Sequence, residues 1–145
     1  MRIIGFAGDH AGFELKEITR KYVESLGYLS KDFGAYSAES SDYPDYAHPL
    51  ASAVESGQVE LGMAFCGTGN GISITLNKHR TIRSAICWLP EIARLARAHN
   101  DANILVLPAR FITPDEMKAI VNVFLNTAFE GGRHLRRVEK ISANI

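Results

Sequence analysis

The tightest constraint on this chain is its rhythm, in which short apolar runs alternate with amphipathic stretches from one end to the other. RIIGFA (2–7), YLSKDF (28–33), ELGMAFC (60–66), IRSAICW (82–88) and NILVLP (103–108) have the length and composition of strands. The patterns between them predict helices near 12–26, 44–56, 70–78 and 89–99, a longer one over 114–128 and a last one over roughly 132–143. Gly27 and Gly57 stand where two of these helices should stop. TPDE (113–116) is a capping box, with Thr113 at the N-cap, Pro114 at the first helical position and Glu116 reaching back. Five strands over 145 residues make units of about 29 residues, the size of a strand–helix repeat. The chain therefore predicts an α/β fold: a doubly wound five-stranded parallel sheet with helices on both faces, plus a C-terminal helix. No repeat, linker or low-complexity tract divides it, so residues 1–145 form one domain. The expected strand order is 2-1-3-4-5, which opens a ligand crevice between the C-terminal ends of the first and third strands.

Charge and cysteine content narrow the partners. Sixteen basic and sixteen acidic residues cancel, which excludes nucleic acid or an anionic membrane as the main partner, because both reward a basic excess. No apolar stretch approaches the roughly 20 residues that cross a bilayer. The N-terminal MRIIGFAGDH is broken too early by glycine and Asp9 to read as a signal peptide. Two cysteines without such a leader predict a cytoplasmic setting with both thiols reduced.

The two most glycine-rich turns, GDHAG (8–12) and CGTGNG (66–71), fall at the predicted crevice and face each other across it. The glycines of the second loop turn the backbone tightly and leave N–H groups open to an anion. It is not a dinucleotide fingerprint, which needs glycine where Ile72 stands, nor a P-loop, which needs Lys followed by Ser or Thr. The anion can instead be an oxyanion developing on a substrate. Cys66, at a strand end beside a helix start, is placed for thiolate chemistry as nucleophile or proton-abstracting base, although a strand-end cysteine is more commonly core. Asp9 and His10 converge on it from the opposite loop; capping is the commoner task for such an aspartate.

His99 and Asn100 close the fourth helix, where such residues ordinarily cap. The topology puts His99 at the far edge of the sheet from Cys66, so a shared role implies a second subunit. Arg133 and Arg137, four apart, project from one helical face and suit a phosphate, against the plainer alternative of a solvated basic face. The five histidines make no HxH or HExxH spacing and no Cys-x-x-Cys occurs, so no metal is expected. Asp42, Asp45 and His48 with Asp9 could approach an ion, but beside proline they read as turn builders.

DHAGFELK (9–16), DYPDYA (42–47), CGTGNGISI (66–74), HNDAN (99–103) and EGGRHLRRV (130–138), in this order over nearly the whole chain, resemble the type B ribose-5-phosphate isomerases. The wider family includes isomerases of galactose 6-phosphate, allose 6-phosphate and tetrose phosphates. The resemblance implies a homodimer, or a tetramer of such pairs, whose active sites straddle the subunit interface and need no cofactor. It implies Cys66 as the base moving a proton between C2 and C1, with Gly67, Thr68, Gly69, Asn70 and Gly71 holding the enediolate oxygens. His99 would assist opening of the furanose ring, with Asp9 and Thr68 nearby. His10, Arg110, Arg133 and Arg137 would hold the phosphate, Asn100 a sugar hydroxyl, and Tyr43 would line the pocket. One branch of the family replaces the cysteine by a glutamate at the position of Thr75; this chain follows the cysteine branch. Trp88 is not part of the family pattern.

Isomerisation of a phosphosugar, ribose 5-phosphate in the first instance, is therefore the expected activity, with another phosphosugar as the alternative. A phospho-receiver would need an aspartate where Cys66 stands, and a thiol-redox protein a second cysteine close in sequence.

Overall fold

The structure is a computed structural model that describes residues 2–145. Its elements follow in the order β1 (Ile3–Gly8), α1 (Phe13–Ser25), β2 (Leu29–Asp32), α2 (Pro44–Glu55), β3 (Leu61–Cys66), α3 (Asn70–Leu76), β4 (Ser84–Ile86), α4 (Pro90–Asn100), β5 (Ile104–Pro108), α5 (Pro114–Asn126) and α6 (Arg133–Lys140). All strand pairs are parallel, as the strand–helix alternation requires.

Alternation along the central strands assigns the helices to two faces. Ile4 and Phe6, Leu61, Met63 and Phe65, and Leu105 and Leu107 pack under α1, α4 and α5, with Phe6 and Phe65 stacked. Ala7, Ala64 and Cys66, Ile104 and Val106 pack under α2 and α3 through Leu50, Ala51, Ile72 and Leu76. The smaller residues on this second face let α2 and α3 lie close to the sheet. Gly27 and Gly57 follow α1 and α2 with positive φ of 98° and 80°, and the Thr113–Glu116 capping box forms with both of its hydrogen bonds.

The strand order is β2-β1-β3-β5-β4, which corrects the expected 2-1-3-4-5. The reason lies in composition. ILVLP is buried at every position and sits inside the sheet, whereas the predicted IRSAICW strand pairs only over Ser84–Ile86, half-buried, at an edge. Arg83 and Ser84 tolerate that edge and would be costly in its interior. The reversal between β1 and β3 survives the correction, so the crevice stays where it was expected.

A charged pair braces the other edge. Lys16, fully buried, donates to both oxygens of Asp32 at 2.7 and 2.8 Å and ties α1 to the end of β2. Nothing in the hydrophobic pattern announced it, because Lys16 reads as one more solvated position of an amphipathic helix.

Candidate active site

The two glycine loops meet as predicted. A Cβ built on Gly12 would lie 2.4 Å from the Phe65 carbonyl oxygen, so the start of α1 is seated directly on the end of β3. The Asp9 amide donates to the same carbonyl at 3.3 Å. Asp9 is buried, and its Oδ1 accepts from the amides of Ala11 and Gly12 at 3.0 and 3.1 Å. One carboxylate oxygen is thereby used to shape the loop. His10 Nδ1 lies 3.2 Å from the Ser41 amide nitrogen and 3.3 Å from the Ser41 carbonyl oxygen, which ties the ring to the 41–45 segment. Sequence reasoning had no means of finding Ser41 as that partner.

The second loop closes the same space. Gly71 lies against the Tyr43 ring so tightly that a Cβ there would come within 2.5 Å of Cζ. Arg110 covers Gly67, and its amide donates to the Gly67 carbonyl at 3.1 Å. Thr68 Oγ1 accepts from the Asn70 amide at 3.1 Å. Among the described residues, no protein acceptor takes the amides of Gly67, Thr68, Gly69 or Gly71. Asp9, His10, Tyr43, Asp42 and Asp45 line a cleft of about 430 Å³ at this end of the sheet. The three aspartates flank it without forming a cluster of metal-binding geometry.

Cys66 is 5% exposed and faces the α2–α3 side, among Ala64, Ile72 and Val106. It is thus nearer the core than a loop-edge thiol would be, although the open glycine amides begin at the next residue. Cys87 is also a free thiol, and burial pushes it up to about 12. Thr75 donates its hydroxyl to the Gly71 carbonyl at 3.0 Å and so stabilises the first turn of α3.

The remaining predicted residues are elsewhere. α4 and α5 run back along the sheet, so His99 and Asn100 at the end of α4, and Arg133 and Arg137 on α6, lie at the N-terminal end of the strands. This corrects the expectation that His99 is separated by position across the sheet; it is separated along it, by the length of β5, roughly 15 Å at about 3.3 Å per residue. The left-handed residue that ends α4 is Asp101, with φ 47°, in place of the expected asparagine. His99 stacks on His134 with centroids 4.1 Å apart, and its Nε2 lies 3.7 Å from Glu130 Oε1. One chain thus places the predicted residues in two groups: Asp9, His10, Tyr43, the 66–71 loop and Arg110 at one end of the sheet, and His99, Asn100, Arg133 and Arg137 at the other. An apolar shelf of Ile86, Trp88, Leu89 and Phe111 borders Thr68 and Asn70, with Trp88 50% and Phe111 70% exposed.

The sequence model of the Ribose/Galactose Isomerase family matches residues 4–141. Ribose-5-phosphate isomerase B of Escherichia coli (strain K12) is 43% identical over 143 residues, which cover 99% of this chain and 96% of the relative. A ribose 5-phosphate isomerase structure from Thermotoga maritima superposes with a TM-score of 0.96 at 50% identity, covering 97% of each chain. Ribose-5-phosphate isomerase B from Mycoplasma genitalium, solved with bound ribulose-5-phosphate, gives 0.91 at 39% identity over 96% of this chain and 93% of that one.

Proposed function

Since the chain belongs to the ribose/galactose isomerase family, we propose that it interconverts ribose 5-phosphate and ribulose 5-phosphate through an enediolate, with Cys66 as the proton-transferring base. The observation that carries this reading is the closure of the 8–12 loop onto the end of β3 beside open amides of the 66–71 loop. Abstraction of a proton next to a carbonyl needs the developing oxyanion to be stabilised, and a preorganised N–H donor is worth about 3 kcal/mol there. Gly67, Gly69 and Gly71 offer such donors with no side chain of their own, and Thr68 and Asn70 add polar groups at the rim. The small exposure of Cys66 keeps bulk water from the sulfur, and a charge there acts in a low dielectric. His10 and Arg110 hold the phosphate from this end. The ribulose 5-phosphate bound by the Mycoplasma genitalium relative supports a pentose phosphate as substrate.

His99, Asn100, Arg133 and Arg137 complete the site from a second copy of the chain, His99 assisting ring opening and the arginines clamping the phosphate. Their position at the far end of the sheet supports this, as does the exposed apolar shelf beside Thr68, which a second chain would cover. A homodimer acting in the cytoplasm, without metal or organic cofactor in the reaction, is the assembly that follows.

Turnover should be measured with ribose 5-phosphate, allose 6-phosphate, galactose 6-phosphate and a tetrose phosphate. Ribose 5-phosphate is expected to give the highest kcat/KM, and a clear preference for another sugar would reassign the substrate. Cys66→Ala should lower kcat by about 10³-fold or more while an enediolate analogue still binds. Undiminished turnover in that variant would remove Cys66 from the mechanism.

A further inference from the structure

The EGGRH segment holds two residues that the isomerase mechanism does not use, and both converge on His99. The Glu130 amide donates to the Ala98 carbonyl at 3.0 Å and so fixes Glu130 beside the last turn of α4. Gly131 and Gly132 then adopt positive φ of 69° and 55°, a reversal that side-chain-bearing residues resist. The His134 amide closes this turn on the Gly131 carbonyl at 3.0 Å, and the first turn of α6 lays the His134 ring over that of His99. The result is two imidazoles and a carboxylate whose ligand atoms all lie within 4.8 Å of one another.

We infer that His99, Glu130 and His134 form a binding site for a divalent transition-metal ion of the zinc class, and that its occupation inhibits the isomerase by capturing His99. Two nitrogens and one oxygen select zinc, cobalt or nickel over magnesium or calcium, which need a cage of oxygens. Tetrahedral ligands at zinc–ligand distances of about 2.1 Å stand about 3.4 Å apart. The observed set, within 4.8 Å, therefore needs to close by up to about 1.4 Å. Coordination needs the neutral, unprotonated imidazole. Arg133 and Arg137 repel a dication, Glu130 offsets part of that charge, and the expected affinity is micromolar. Three protein ligands leave one position of a tetrahedral ion open.

Binding does not depend on the isomerase reading; inhibition does. Calorimetric titration of zinc into the full-length Cys66→Ala protein, which lacks the competing thiol of the site, should show one ion per chain. Affinity should fall at least tenfold in Glu130→Gln and in His134→Asn, each added to that background and checked for folding by circular dichroism. Cobalt should give the visible absorption of a tetrahedral site, lost in the same two variants. In the chain with Cys66 intact, zinc should suppress turnover of ribose 5-phosphate, and Glu130→Gln should shift that inhibition to at least tenfold higher zinc. No binding below millimolar zinc, or binding untouched by both substitutions, would overturn the site. Binding without inhibition in an active enzyme would overturn its regulatory role. An inactive enzyme that still binds zinc through these three residues would count against the isomerase reading alone.

Discussion

At the scale of single residues, the two cysteines separate by chemistry. Cys87 is fully buried and pushed up to about 12, so its thiolate is scarce at any pH the fold normally meets. Iodoacetamide at pH 8 should leave Cys87 unmodified in the native protein, as peptide mapping would report, with modification appearing only on unfolding. His99 offers a sharper test of its proposed task. Ribulose 5-phosphate has its terminal oxygen phosphorylated and closes no furanose ring, so only the aldose direction needs ring opening. His99→Gln should lower turnover of ribose 5-phosphate about 100-fold while exchange of solvent deuterium into ribulose 5-phosphate persists. Equal loss of both would give His99 a different role. The meeting of the 8–12 loop with the end of β3 was legible in the sequence because glycine spacing and strand ends carry topological meaning. Glu130 and His134 were not: the three ligands are brought together by a glycine turn, and no linear spacing encodes their meeting with His99.

At the scale of elements, apolar patterning located every strand, and the capping box gave the start of α5 to the residue. The sheet order was missed at one place. A short run with arginine and serine inside it is an edge strand, and weighing IRSAICW against the uninterrupted ILVLP would have put β4 outside β5. The buried Lys16–Asp32 pair was illegible for a different reason, since burial of a lysine is decided by a partner distant in sequence. Lys16→Met should destabilise the protein by about 3 kcal/mol, because Asp32 loses its main counter-charge in a largely buried position. Lys16→Met combined with Asp32→Leu should recover most of that loss, as removing both charges leaves none uncompensated. Urea midpoints compared at unchanged slope would measure both effects.

At the scale of the whole molecule, the two groups of proposed site residues sit at opposite ends of one sheet, so the proposed function needs two chains to complete a site. Mixing Cys66→Ala and His99→Ala chains in equal amounts should restore about a quarter of wild-type activity, since half of the pairs are hybrids with one intact site of two. Formation of hybrids, shown by mass spectrometry, without such recovery would refute a shared site. The separation has a genetic corollary. Faults placed on different chains can complement, whereas a single chain carrying both would ruin the two sites of every pair it enters and poison the normal copies expressed beside it.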